Sequence, residues 1–475
     1  MIRRSAFVAI LGCSLLCATD STVAATPQWP QFRGPGGSGV AEGQSPPVHF
    51  GPGSNELWKV SVPAGVSSPC VWGDSIFLTA FNDGKLETLS LDRKRGKVRW
   101  RQTAPTKELE KFHPKEGSPA SATPATDGRS VVSYFGSCGL FCYDFSGKEE
   151  WRLELPTAQQ AGDFGSGTSP ILVGKFVLLN RDQSKGSELL AVDLRTGKIV
   201  WRADRSDLNS SFGTPVIWKT KGAEEVVLPG YLEMRAYDLK KGTERWRVRG
   251  LPSGVCTTPV IGDGLLFFAG WSPGGGDAPM PTFENIAGKD DADKDGVLTF
   301  EEASPGMKGF FASYDRNGDK RLTREEWDAF SAALAKGKNS LLALKPGGKG
   351  DITESHVAWK QTRGLPYVPS PLFYRGQVYI LKDGGMISCF KAQSGEVVYE
   401  QERVGAMGNY YASPVAADGR IYVASVNGVL SVLDAGSKPE VLGRADFKER
   451  LASTPAIVDN KLYIRTADHL WAFGK

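Results

Sequence analysis

Apolar residues along this chain come in short runs rather than helical stripes, and the runs repeat. One unit reads Ser169-Pro170-Ile171-Leu172, Phe176-Val177-Leu178-Leu179, Leu189-Leu190-Ala191-Val192-Asp193, Thr196-Gly197-Lys198 and Val200-Trp201. Runs this short, rich in β-formers and bounded by Gly and Asp turns, predict strands. Each unit opens on Ser or Thr followed by Pro, at Ser68-Pro69, Thr123-Pro124, Ser169-Pro170, Thr214-Pro215, Thr258-Pro259, Ser370-Pro371, Ser413-Pro414 and Thr454-Pro455. A unit of about 45 residues holding four short strands is the signature of one propeller blade. The chain is therefore expected to be all-β, an eight-bladed β-propeller.

Residue types within the unit have local reasons. Proline before the first strand costs no ladder bond. Asp193, Thr196 and Gly197 mark a turn in which the glycine takes the left-handed conformation, and Asp92 with Gly96, Asp144 with Gly147, and Asp238 with Gly242 repeat it. The closing ring recurs as Trp100, Trp151, Trp201, Trp246 and Trp359, with Tyr399 in the sixth unit; such rings are expected to wedge between blades. The unit opened by Thr454 ends at Phe473 without an outer strand, while an orphan strand, Leu57-Trp58-Lys59-Val60, precedes the first unit. The N-terminal strand is expected to complete blade eight and close the ring.

Spacing breaks once, where Pro259 and Pro371 stand 112 residues apart. The excess is placed at 273–338, in a hairpin of blade five, with propeller at 26–272 and 339–475. Its first acidic run, Asp291 to Glu302, matches an EF-hand loop. Calcium takes six to eight oxygens, and Asp291, Asp293, Asp295, the Val297 carbonyl, a water under Thr299 and both oxygens of Glu302 are the expected ligands, with Gly296 at the bend. The second loop offers Asp315, Asn317, Asp319, the Arg321 carbonyl, Thr323 and Glu326, but Lys320 stands where glycine is wanted, so this site is expected to be the weaker. Met307, Phe310, Phe311 and Tyr314 predict one helical stripe entering the second loop. Residues 277–328 hold thirteen Asp or Glu against seven Lys or Arg, a net of minus six that calcium would largely neutralise.

Composition then removes alternatives. The net charge of +4 over 475 residues calls for neither nucleic acid nor an anionic membrane surface. Residues 1–25, with Arg3, Arg4, an apolar stretch and Val23-Ala24-Ala25, read as a signal peptide, predicting a secreted or periplasmic protein; the stretch is too short to span a membrane, and no later one approaches that length. Ile10-Leu11-Gly12-Cys13 resembles a lipoprotein cleavage box, but little apolar sequence precedes Cys13 and a lipid anchor is not favoured. Seven cysteines become five after the signal, an odd number that leaves at least one free or intermolecular. Cys142 and Cys389 fill the slot of Ala191, as small buried side chains would. No zinc, haem or nucleophile-elbow motif is present, and Gly34 to Gly39 reads as a lead-in loop rather than a phosphate cradle.

The Ala-x-Asp-x-x-Thr-Gly-x-x-x-Trp segments resemble the pyrroloquinoline quinone (PQQ) type of propeller repeat, and Trp29-Pro30-Gln31-Phe32-Arg33-Gly34-Pro35 is similar to the opening of secreted bacterial members of that family. The insert separately resembles the calmodulin-like superfamily. The resemblance implies one of two roles. In quinoprotein alcohol dehydrogenases, PQQ and calcium lie in the funnel, typically under a disulfide of adjacent cysteines; this chain has no adjacent cysteines. In binding scaffolds, such as the propeller lipoprotein of the outer-membrane β-barrel assembly machine, loops and strand edges hold partners. The favoured expectation is an exported calcium-binding scaffold with a protein or glycan partner on its loop face; the alternative is a PQQ-dependent dehydrogenase of alcohols or sugars. Phe164, Phe212, Tyr367, Tyr410 and Tyr411, just ahead of the Ser/Thr-Pro pairs, are expected at the channel mouth.

Overall fold

The computed structural model describes residues 27–273 and 280–475; the expected signal peptide lies outside the described residues. The strands form eight blades, each an antiparallel sheet of four strands to which blades one and four add a fifth. In blade three, Ile171–Val173 lies innermost, followed by Phe176–Arg181, Glu188–Asp193 and Ile199–Asp204. Blade eight is shared by the two ends of the chain. Glu56–Ser61 pairs antiparallel with His469–Phe473, so the N-terminal strand closes the ring, as the truncated last repeat predicts. Among the described residues no helix is long and apolar enough to cross a membrane.

The eight Ser/Thr-Pro pairs hold the blades together. The residue before proline is pushed into extended backbone, leaving its N–H and hydroxyl free to bond sideways. Each of these N–H groups donates to the hydroxyl of the next blade's pair. Ser68 donates to Thr123 (2.9 Å), Thr123 to Ser169 (2.9 Å), Ser169 to Thr214 (3.1 Å) and Thr214 to Thr258 (3.0 Å). The sequence continues from Thr258 to Ser370 (3.0 Å), Ser370 to Ser413 (3.1 Å), Ser413 to Thr454 (3.0 Å), and Thr454 back to Ser68 (3.0 Å). All eight residues are buried.

Farther out, four of the five repeat tryptophans cover the turn of the following blade, whereas the Trp246 indole N–H donates to the Glu225 carboxylate of its own blade (3.0 Å). The indole N–H of Trp100 donates to the Phe145 carbonyl, Trp151 to Leu194, Trp201 to Leu239, and Trp359 to Ala392. The ring lies flat on the turn glycine: a Cβ on Gly197 would meet Trp151 at 2.7 Å, and one on Gly147 would meet Trp100 at the same distance. That glycine is therefore fixed twice, by a φ of 69° at Gly197 and by the ring above it. Trp58, on the closing strand, does the same for Gly96 and the Arg93 carbonyl of blade one. Cys142 and Cys389 stand opposite Trp151 and Tyr399 in the ladder and are fully buried, matching the Ala191 slot.

The lead-in loop closes one end of the channel. Gln28–Trp29 pairs with the inner strand of blade one, the Pro30 carbonyl accepts from Thr126 of blade two, and Arg33 donates to the Pro371 carbonyl of blade six (2.6 Å). Val40 bridges Ala416 of blade seven. The glycines of Gly34-Pro35-Gly36-Gly37-Ser38-Gly39 thus let the backbone thread a narrow axial passage, and Arg33 is wholly buried within it.

Thr214→Val removes the acceptor of the buried Ser169 N–H and is expected to lower unfolding stability by about 1–3 kcal/mol, whereas Thr214→Ser keeps the acceptor and should cost far less. Urea unfolding of both variants checks this; equal losses would mean that methyl packing, not the ring bond, is what Thr214 contributes.

Candidate functional site

At the opposite end, the channel opens into a cavity of about 920 Å³. The eight ring residues line its floor, with Phe32 of the lead-in rising among them. Phe164, Phe212, Tyr367 and Tyr411 line the walls as expected from sequence, joined by Tyr231. Tyr410 does not. It is buried, its hydroxyl donating to the Ala406 carbonyl (2.9 Å), because consecutive side chains in an extended segment point to opposite sides.

Two segments that belong to no repeat cover this mouth. The loop at 105–119, between blades one and two, reaches across to blade seven, where the Tyr411 hydroxyl donates to Glu116. Buried Glu110 clamps it: one carboxyl oxygen accepts from the Ser166 N–H (2.9 Å) and hydroxyl (2.7 Å), while the other has no partner. Burial pushes the Glu110 carboxyl up to about 7 against the lowering effect of these bonds. The second cover is the helical insertion between Leu265–Gly270 and Ser340–Leu344 of blade five. The Gly162 N–H, between blades two and three, donates to the Gly309 carbonyl (2.7 Å), and Phe310 meets Phe164 edge-on at 6.3 Å. Phe310, Tyr314, Phe330 and Leu334 consequently form one wall of the cavity.

Two carboxylates, Glu116 and Asp383, face this space, and among the described lining residues there is no Lys, Arg or His. Asp383 accepts from the Tyr410 N–H (2.7 Å). Burial raises its carboxyl above the usual range, with Glu116 adding to the rise and the Tyr410 bond and Lys382 opposing it. The Tyr367 and Tyr411 hydroxyls are pushed up to about 12, chiefly by burial. Cys256, also in the lining, has its thiol pushed to about 12 by burial, so it is protonated at neutral pH. All five described cysteines are free thiols.

Helices Phe283–Asp290, Pro305–Lys308, Phe311–Tyr314 and Arg324–Leu334 make up the insertion around buried Phe283, Leu298, Phe311, Leu322 and Trp327. The single stripe expected from Met307 to Tyr314 is broken at Gly309 and Phe310. The Gly309 carbonyl serves Gly162, and Phe310 turns toward the propeller, while Phe311 alone of the two enters the insert's core. The acidic loops pair back to back through Leu298–Thr299 and Arg321–Leu322.

In the first loop, carboxylate oxygens of Asp291, Asp293 and Glu302 lie within 4.8 Å of one another. One Asp291 oxygen is buried without a partner. Glu302 accepts from the Ala292 and Thr299 N–H groups and the Thr299 hydroxyl, and Asp295 accepts from the Val297 N–H while pairing with Arg321 of the other loop (3.0 Å). In the second loop, Asp315 accepts from Gly318 and Lys320, Asn317 and Asp319 from the backbone two residues on, and Glu326 from Arg316 and Thr323. Lys320 is held at a φ of 64°, a conformation costing a side chain about 1–2 kcal/mol. Among the described residues only the first loop brings three acidic side chains together. An orphaned carboxylate oxygen beside two more carboxylates is a donor set that fits a hard dication.

The fold is that of a PQQ-type β-propeller. Residues 87–270 and 309–437 match the family model described as outer membrane protein assembly factor BamB, and the chain belongs to that family. No curated protein matches the chain in sequence. Among solved structures it resembles BamB from Moraxella catarrhalis, 14% identical over 88% of this chain and 97% of that one, with a TM-score of 0.54. A europium-containing methanol dehydrogenase is 11% identical over 94% and 98%, with a TM-score of 0.58. The quinohemoprotein alcohol dehydrogenase of Comamonas testosteroni is 12% identical over 94% and 80%, with a TM-score of 0.57. At these identities the likeness concerns the fold, which hosts both kinds of protein. The lining does not fit PQQ: a tricarboxylate would meet Glu116 and Asp383 with no Lys, Arg or His among the described lining residues to offset its charge.

The Glu110 clamp has a pH signature. Its carboxyl holds a proton more tightly folded than unfolded, so its contribution favours folding at low pH and is lost as pH rises toward about 7. The stability of Glu110→Gln, measured by urea unfolding between pH 4.5 and 8, should fall less over that range than that of the unaltered chain. Parallel profiles would mean that Glu110 titrates normally.

Proposed function

We propose that the chain is an exported calcium-binding β-propeller that serves as a binding scaffold, with calcium ordering an EF-hand insertion across the mouth of its funnel. The observation that carries this reading is the position of Tyr314. It lines the cavity and immediately precedes Asp315, the first acidic residue of the second loop. Whatever draws the acidic loops into a fixed shape therefore fixes one wall of the mouth.

Calcium would act through charge. The first loop gathers carboxylates whose repulsion is balanced here by backbone N–H groups, the Thr299 hydroxyl and Arg321. A bound dication would take Asp291, Asp293, Asp295, the Val297 carbonyl and Glu302 in loop one, and Asp315, Asn317, Asp319, the Arg321 carbonyl and Glu326 in loop two, with waters under Thr299 and Thr323. Loop two is the weaker because Lys320 carries its charge into the bend. Export is inferred from the leader at 1–25, and a protein or glycan partner on the loop face from the scaffold role implied by the name of the matched family. PQQ is not favoured, given the acidic lining.

Calcium titration of the purified chain by calorimetry, with hydrogen exchange followed over 280–338, tests the proposal. Binding should slow exchange there, and Glu302→Gln should weaken the tighter site by more than about tenfold. Exchange unchanged by chelation would refute the ordering role even if calcium bound.

A further inference from the structure

We propose that the chamber between the propeller mouth and the helical insertion takes an organic cation, an ammonium group carried on an apolar frame. The chamber's volume, about 920 Å³, lies within the range of small-molecule pockets, roughly 300–1,000 Å³, and far exceeds what one inserted side chain fills. Its walls are the aromatic residues Phe164, Phe212, Tyr231, Tyr367 and Tyr411. An aromatic face attracts a cation through its quadrupole and is indifferent or repulsive to an anion.

Charge complementarity selects the sign. Glu116, on the loop between blades one and two, and Asp383, of blade six, face the same cavity, and the Glu116 charge adds to the cost of ionising Asp383. Two basic side chains stand beside the chamber without lining it. Arg450 lies 5.8 Å from the Tyr411 ring and donates to the Lys115 carbonyl, and Lys382 is directed to Gln401. A cation in the chamber would sit among two carboxylates and several ring faces, relieving the repulsion between the carboxylates. At the rim, Trp271 stands edge-on to Tyr367 at 5.7 Å and is 39% exposed, extending the apolar surface outward for the ligand's frame. The Ser and Thr hydroxyls of the floor are uncharged and each already accepts one ring bond, so the sign of the ligand's charge is selected at the acidic rim. The inference does not rest on calcium, because Glu116, Asp383 and all five of those rings belong to the propeller and not to the insertion.

The test is calorimetric titration of the full chain with three probes of one size: phenethylammonium, neutral 2-phenylethanol and anionic phenylacetate. The cation should bind at one site at least about tenfold more tightly than the alcohol, and the anion should bind least. Asp383→Asn, whose side-chain oxygen can still accept from the Tyr410 N–H, should cost the cation about tenfold and leave the alcohol unchanged. Glu116→Gln, on an exposed loop, gives the same readout should Asp383→Asn melt early. Equal affinities for the three probes, preference for phenylacetate, or no binding of the cation would each overturn the proposal. Binding of the tripeptide Ala-Lys-Ala without binding of phenethylammonium would overturn it in favour of a basic polypeptide partner.

Discussion

Everything in this molecule hangs on a circle of eight hydrogen bonds from Ser/Thr N–H groups to the hydroxyls of the next blade. Each is worth only about 1 kcal/mol net, but each N–H is buried, and leaving one unpaired costs about 1–3 kcal/mol. No blade can satisfy its own N–H. The bond from Thr454 to Ser68 exists only when the last blade meets the first, which is why Trp58 and its strand, from the opposite end of the chain, must complete blade eight. The same circle sets the channel's width and lines the floor of the chamber with hydroxyls whose oxygens each accept one ring bond.

A ring of near-identical units gives a near-symmetric mouth, and recognition needs asymmetry. Here it comes from three stretches outside the repeat. The lead-in loop blocks one end and raises Phe32 into the floor; the loop at 105–119 brings Glu116 over the opposite rim; the insertion supplies the wall of Phe310, Tyr314 and Phe330. Conserving the ring's geometry costs these segments nothing, because none carries a ring residue. The scaffold is rigid and the chemistry is peripheral, as expected where loops are positioned on a packed core.

The repeat was legible because its residues answer to local rules. Ser-Pro and Thr-Pro mark strand starts, Thr-Gly marks a left-handed turn, and the lone Leu57 to Val60 strand announces closure. What the sequence concealed lies between units. Nothing in the spacing says that Trp151 covers Gly197, although both were visible as repeating positions. The plug could not be read from Gly34 to Gly39, because its partners, Thr126, Pro371 and Ala416, are far away along the chain. Tyr410 and Tyr411 illustrate the limit at one residue: both precede Ser413, yet alternation sends one into the core and the other into the chamber. Phe310 fits a helical stripe by spacing, and only the contact between Gly309 and Gly162 turns it away.

The described insertion meets the ring at the Gly162 to Gly309 bond, the Phe164 and Phe310 rings, Lys185 beside Gly318, Gly337 against Leu232, and the Lys338 N–H on the Gly250 carbonyl. The unit has its own core, around Phe283, Leu298, Phe311, Leu322 and Trp327. Its acidic loops and its chamber wall are nevertheless parts of the same helices, since Tyr314 adjoins Asp315 and Arg324–Leu334 carries both the Glu326 carboxylate and Phe330. Linkage then imposes a constraint. If an ion in the loops tightens the hold on a ligand in the chamber by some factor, the ligand must tighten the hold on the ion by the same factor. With both bound, such a scaffold would report the ion through the ligand and the ligand through the ion.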